Sequence, residues 1–149
     1  MSAPDIPVDE ITEPWWEATR QRRLTVQHCV ACGRLQHYPR ALCTSCGGTD
    51  LDFTDVSGDA TVDAYTIVHR SPRPDLEAPY VVARVRLAEG PILLTNLEGA
   101  EPGSWRCDDP VRVAWRVLPD GRHLPVFRPA EPDPAEPDPA GPVPAENKD

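Results

Sequence analysis

Residues 28–48 read HCVACGRLQHYPRALCTSCGG and place the pair Cys29 and Cys32 ten residues ahead of the pair Cys43 and Cys46. Each Cys-x-x-Cys is followed at once by glycine, Gly33 in one case and Gly47-Gly48 in the other. In a metal knuckle the backbone turns its N–H groups toward the two sulfurs, and the residue just past the second ligand takes a left-handed conformation that costs glycine nothing. Four thiolates that fill a tetrahedral shell make a closed, structural zinc site, one ion per chain. Spacing alone leaves two disulfides or an iron site as the alternatives. Five cysteines in a chain whose start lacks a charged-then-apolar leader favour a reducing compartment, and hence a metal and a cytoplasmic protein. With the shell full, His28 and His37 are expected at the surface or behind the ligands, and Cys107 is expected as a small buried or half-buried residue.

Downstream of the clip the hydrophobic period becomes two. ATVDAYTIVHR places Ala60, Val62, Ala64 and Val68 on one face, and YVVARVRLAEG does the same with Val81, Ala83, Val85 and Leu87, leaving Arg84 and Arg86 opposite. PILLTNL follows through a tight AEGP turn, VRVAWRVL alternates again, and PDG at 119–121 turns the chain into HLPVF. Three strands in a meander, a longer connection near 99–109 and a closing hairpin have the rhythm of a five-stranded OB-fold barrel. A six-strand sandwich that also uses LDFTDV is the alternative.

Upstream, Thr12 can cap a helix, Pro14 suits its first turn, and WWEATRQRR continues with good helix formers. Trp15 and Trp16 either pack one face of that helix or offer an anchor to a partner. The expected organisation is a loose N-terminus over 1–12, a helix over 13–26, a rubredoxin-like zinc ribbon over 27–49, the OB-fold over 50–129, and a disordered Pro/Ala/acidic tail over 130–149. The class is mainly β. Net charge is −9, but residues 14–129 are neutral between two acidic ends, which argues against a broad nucleic-acid-binding surface. Apolar runs such as YVVA and PILL fall far short of the ~18 residues of a membrane span.

No nucleophile elbow, phosphate-binding glycine loop or His-Glu-x-x-His accompanies these elements, so the chain is not expected to be catalytic alone. The order of its parts, PWWEATRQRRL, the ribbon, VSGDATVDAYTIVHR, PYVVARVRL with EGPILLTNL, and VRVAWRV with LPVFRPA, resembles the DUF35 family from about Trp15 to Pro129. The ribbon departs from that family's aromatic-Pro-Pro-Arg by reading HYPR, and no hotdog domain is expected within these 149 residues. The resemblance implies an accessory subunit that binds a coenzyme A thioester beside a thiolase-fold enzyme. That enzyme would be a steroid side-chain acyl-CoA aldolase or a thiolase, and it would supply the chemistry. Arginine forks suit the phosphates of acyl-CoA, and an apolar channel suits its pantetheine arm. Tyr38, Arg40, His69 and Arg70 are the candidate contacts on this chain. A zinc-ribbon/OB-fold module that binds nucleic acid is the rival from another class, and an electron-transfer iron protein is a third.

Overall fold

The computed structural model describes residues 6–130. The tail expected over 130–149 lies, beyond Ala130, outside the described residues. Helix α1 spans Glu13–Arg20, followed by β1 (Thr25–Cys29), β2 (Leu35–Gln36), β3 (Leu51–Asp55), β4 (Asp59–Val68), β5 (Tyr80–Leu87), β6 (Ile92–Leu97), a short 3₁₀ turn at Pro102–Ser104, β7 (Pro110–Val117) and β8 (His123–Pro129). Among the described residues no helix is long and apolar enough to cross a membrane.

The entry to α1 is more ordered than the expected loose end. Asp9 Oδ1 accepts the Thr12 N–H at 2.8 Å, the Thr12 hydroxyl at 2.8 Å and the Ile11 N–H at 3.1 Å. The Thr12 hydroxyl therefore serves Asp9 and not the helix, and Asp9 tethers the first turn. Nor does the helix run to residue 26. Arg22 adopts φ 55°, its N–H bonds Thr19 O at 2.9 Å, and the Arg23 N–H bonds Ala18 O at 3.0 Å. That pair of bonds is a Schellman stop, here with arginine at the left-handed position. The β-branched run that follows is then free to pair as a strand.

β1 is the centre of a three-stranded antiparallel sheet ordered β2-β1-β3. LDFTD belongs here: Leu51 pairs with Cys29 and Asp55 with Thr25, so this stretch completes the ribbon and is no sixth strand of a sandwich. The other five strands close a barrel in the order β4-β5-β6-β8-β7, with β7 returning to β4 through Asp59 and Arg112. β6 and β8 meet in parallel at Leu97 and Phe127. This is the five-stranded OB topology read from the strand rhythm. Val62, Val81, Val85, Val111 and Phe127 fill the interior, and Trp105, from the long connection, is buried with them.

Sequence alternation holds along β5 but breaks in β4. The register against β5 slips between Val62 and Ala64. One extra residue swaps the faces, so Ala64 is exposed while Tyr65 and Ile67 pack on the core. The Tyr65 hydroxyl bonds Trp105 O at 2.7 Å, tying the bulged strand to the plug. Gly58, at φ 84°, leads into β4, and a Cβ there would lie 2.3 Å from Val113 Cγ1, so no other residue fits without moving β7.

Candidate functional site

The four clip cysteines converge, with all their sulfurs within 4.8 Å of one another. Cys29 Sγ and Cys46 Sγ are 3.6 Å apart, and Cys32 Sγ and Cys43 Sγ are 3.7 Å apart. A tetrahedron with metal–sulfur bonds of ~2.3 Å has edges of ~3.8 Å, so the donor set fits zinc. Gly33 and Gly47 take the left-handed φ of 74° and 72° expected past each second ligand. Their amides bond Cys29 O at 2.8 Å and Cys43 O at 3.0 Å. The amides of Ser45 and Gly48 point at Cys43 Sγ and Cys46 Sγ, each at 3.4 Å. Backbone N–H groups of Cys46 and Ser45 pull the Cys43 thiol down to about 6. At Cys32 the Arg34 amide favours the thiolate, yet burial and the neighbouring sulfurs outweigh it and push the thiol up to about 11. A dication removes that opposition by letting all four sulfurs ionise. Cys107 is outside the cluster and exposed, contrary to the burial expected of it.

Behind the metal the ribbon is held by two buried glutamines that sequence reading passed over. Gln36 Nε2 donates to Gln27 Oε1 at 2.8 Å, and Gln36 Oε1 accepts the Thr44 amide at 2.9 Å. Gln27 clamps the backbone of Arg40 at both ends, accepting its N–H at 2.8 Å and donating to its carbonyl at 3.0 Å. TVQHC offers no alternation that would single Gln27 out, since Thr25, Val26, Gln27 and Cys29 are buried on both faces of the strand.

Where the helix, the ribbon and the barrel meet lies an apolar groove of about 270 Å³. Trp15, Trp16, Tyr38, Leu94 and Pro125 are among its walls, with His37 at one side. Trp15 is 7% exposed, and its indole N–H bonds Thr25 O at 3.1 Å. Of the two tryptophans it is therefore core, while Trp16 is half-buried and carries the Arg122 guanidinium 4.6 Å above its ring. Tyr38 is exposed, and its hydroxyl accepts the Leu94 amide at 3.3 Å. Both ring nitrogens of His37 are buried without a hydrogen-bond partner, between Trp15 at 5.8 Å and Tyr38 at 4.2 Å. Burial pushes its pKa down to about 4, so the ring is neutral near pH 7. His37 thus faces neither the surface nor the metal.

The sequence-derived contacts divide accordingly. Tyr38 lines the groove, whereas Arg40, exposed on the same ribbon segment, does not. His69 and Arg70 follow β4 on an exposed bend away from it. His28, expected at the surface or behind the ligands, is part-exposed and pairs through Nδ1 with Asp52 Oδ1 at 2.9 Å.

A four-cysteine ribbon joined to an OB barrel defines a two-part class of protein, a metal clip set on a small closed barrel. Comparison with known proteins narrows this: residues 16–52 match the family model described as "ChsH2, rubredoxin-like zinc ribbon domain", and residues 53–116 match "ChsH2, C-terminal OB-fold domain". A solved structure titled "Ltp2-ChsH2(DUF35) aldolase" contains a chain that superposes with a TM-score of 0.78 at 40% identity, covering 84% of this chain and 98% of that one. The chain belongs to the ChsH2 (DUF35) family. A probable enoyl-CoA hydratase alpha subunit from Thermomonospora curvata is 44% identical over 79% of this chain. The chain spans only 37% of that relative's length. The benzoylsuccinyl-CoA thiolase subunit BbsA of Thauera aromatica is 29% identical over 63% of this chain and 64% of its own.

Proposed function

We propose that this chain is an accessory, coenzyme A thioester-binding subunit of a thiolase-superfamily complex. The retro-aldol cleavage of a steroid side-chain acyl-CoA is the leading activity, with thiolysis by a thiolase next. The observation that carries this reading is the likeness, at 40% identity over nearly its whole length, to a chain of an Ltp2-ChsH2(DUF35) aldolase. The relatives named for a hydratase and for a benzoylsuccinyl-CoA thiolase share an acyl-CoA substrate but not a reaction, which fits a module that serves the thioester and not the bond broken. Proton transfer beside a thioester needs placed acid and base groups. The groove instead offers a neutral imidazole, a phenol and apolar walls. The partner supplies the reactive groups, and this chain completes and orders the pocket, a contribution made by positioning. Tyr38 and Arg40 on the ribbon, with His69 and Arg70 past β4, contact the thioester once the partner is in place.

The rival nucleic-acid reading has less support. Arg84 and Arg86 share Asp63 at 3.1 and 3.2 Å, and Arg112 meets Asp59 at 2.8 Å, so these outward strand arginines do not form an open basic track. Co-expression with thiolase-like proteins encoded beside it, followed by co-purification and acyl-CoA cleavage assays, tests the proposal. A stable complex that cleaves acyl-CoA faster than the partner alone is expected. Arg40→Ala and Arg70→Ala should each raise KM more than they lower kcat. A chain that assembles with none of them and binds single-stranded nucleic acid at physiological salt would replace this reading with the rival.

A further inference from the structure

The groove between α1, the ribbon and the barrel combines apolar walls with donors that lack acceptors. Trp16, Tyr38, Pro39, Leu94, Leu124 and Pro125 line it, and with His37 neutral no charged side chain does. Tyr38 and Leu94 are 46% and 57% exposed. The Trp16 indole N–H makes no hydrogen bond with any described residue. The Tyr38 oxygen accepts the Leu94 amide, which leaves the hydroxyl proton to donate. Aromatic rings that present an N–H and an O–H beside apolar walls suit a polyproline II segment, whose carbonyls have no internal partners and whose prolines have no N–H to satisfy. The chain itself holds such a sequence. Residues 131–149, outside the described residues, read EPDPAEPDPAGPVPAENKD, with six prolines between 132 and 144. PAGPVP, at 139–144, is uncharged, whereas 131–138 carries Glu131, Asp133, Glu136 and Asp138. We propose that residues 139–144 dock in this groove as a polyproline II segment of the same chain, with 131–138 as a solvated acidic tether.

Strand β8 joins the two places. Leu124 and Pro125 form one wall of the groove, and Pro129 ends the strand. From Pro125 to Ala130 an extended chain covers ~17 Å. The nine residues from Ala130 to Pro139 reach ~28 Å as polyproline II, enough to turn back along β8 and enter the groove. Charge suits that return. Arg116, opposite Leu124 in the register, and Arg128 share the carboxylate of Glu98, and Arg22, beside His123, makes no ion pair with any described residue. Positive charge is thus in excess where the acidic tether passes. A short tether holds its segment at an effective concentration in the millimolar range, so a contact with a Kd of about 1 mM between separate molecules fills the groove in a substantial fraction of chains. A helix or an extended strand would bring further N–H groups to a wall that already offers donors; a proline-rich segment brings carbonyls. Arg40, His69 and Arg70 lie outside the groove, so docking covers only Tyr38 among the thioester contacts proposed above, and the segment leaves Tyr38 when the partner is in place. The inference does not depend on the acyl-CoA reading.

NMR on the full zinc-loaded chain, free of partners, tests it. Nuclear Overhauser contacts are expected between the Val143 methyls and the Trp16 ring. Pro139→Gly, Pro142→Gly and Pro144→Gly together keep the length and charge of the tail but remove its polyproline II bias. This triple change should cut the docked fraction at least about fivefold, moving the Trp16 indole, Tyr38 and Leu94 signals and leaving those of β4 and β5 in place. Leu94→Asp, on an exposed side chain, should release the segment from the other side, and the signals of 139–144 should become those of a free peptide. A synthetic peptide of residues 131–149, added to the triple variant, should restore the wild-type groove signals with a Kd of about 1 mM. Zinc content and barrel amide spectra show that each variant is folded. Groove signals that are the same in the wild type and the triple variant would overturn the proposal. So would wild-type groove signals that change with protein concentration, since a second copy would then be the donor of the segment. Neither result touches co-purification with a thiolase-fold partner, so the accessory-subunit reading stands or falls separately.

Discussion

Between Cys29 and Asp50 the ribbon has almost no apolar interior: Val30 and Leu42 are each 52% exposed, and order comes from four sulfurs and the Gln27–Gln36 pair. The barrel is built the other way, around Val62, Val85, Val111 and Phe127, all at 1% exposure or less. The strand side of the ribbon bridges the two, because Leu24 and Val26 are buried in the same cluster as the barrel core and Phe53 packs against it. A short segment that cannot bury enough surface borrows a metal, while a closed sheet does not need one. The difference predicts where each kind of damage stays.

The largest effect should come from the metal. Cys43→Ser, or zinc removal by a chelator, withdraws binding free energy that amounts to roughly 10 kcal/mol or more in small zinc modules. The knuckles over 29–50 should lose amide protection while β4–β8 keep theirs. Metal analysis should give one zinc per wild-type chain and almost none in the variant. Global unfolding on zinc loss would show that the ribbon is part of the barrel's cooperative unit.

Phe127→Ala tests the other side. Phe127 is fully buried at the parallel meeting of β6 and β8, where the barrel closes. Truncating a buried phenylalanine costs about 3–5 kcal/mol. Denaturant midpoints should fall accordingly, with the zinc still bound at concentrations where the barrel remains folded. Zinc loss at the same midpoint would sharpen the picture differently, showing that Val26 and Phe53 transmit barrel failure to the ribbon.

The two regions also differed in how much their sequences disclosed. Paired cysteines at fixed spacing and a two-residue period at Val81, Ala83, Val85 and Leu87 are local patterns, and the metal cluster and β5 follow from them. The missed features depend on contacts distant in sequence or on a single backbone angle. The slip at Val62/Ala64 reverses the faces of β4 without altering composition, and the left-handed Arg22 stops α1 where propensity would continue it. LDFTD has an ordinary strand pattern, and only pairing with TVQHC shows to which sheet it belongs. In the candidate site the metal half was legible, because two Cys-x-x-Cys pairs declare the ligands by residue type and spacing. The groove was not, since Trp16, His37 and Tyr38 are distinguished only by what β6 and β8 bring opposite them.

His37 gives a pH test of that groove. Its pKa falls from 6.5 to about 4 because burial penalises the charged ring. The unfolded chain then binds a proton that the folded chain does not, so this contribution is complete above about pH 6.5 and is lost as pH falls toward 4, for about 3 kcal/mol in all. Imidazole NMR should show a depressed titration for His37. The stability of the His37→Phe variant should fall less steeply between pH 6.5 and 5, a range in which zinc content is checked in parallel. An ordinary pKa for His37 would mean that the ring is solvated.

The smallest expected effect concerns the glutamines. Gln36→Leu keeps the bulk of the side chain but leaves the Thr44 amide without its acceptor and removes the donor to Gln27 Oε1. An orphaned amide costs about 1–3 kcal/mol when fully buried, and Thr44 is an exposed residue where water can take part of the acceptor's place. Gln27 Oε1 still accepts the Arg40 amide, so the loss should stay toward the low end. If the knuckle half of the ribbon is held by polar contacts and metal alone, the cost should appear there: faster amide exchange over 36–44 and faster zinc release to a chelator, with the barrel's unfolding midpoint unchanged. Replacing both residues, Gln27→Leu with Gln36→Leu, should cost less than the sum of the two single changes, because the first change already breaks the shared bond. Strict additivity would mean that the two side chains act separately, each only on its own stretch of backbone. A matching loss in the barrel would mean that the β1–β3 sheet carries the strain across, and the ribbon would have to be counted with the barrel core and not set against it.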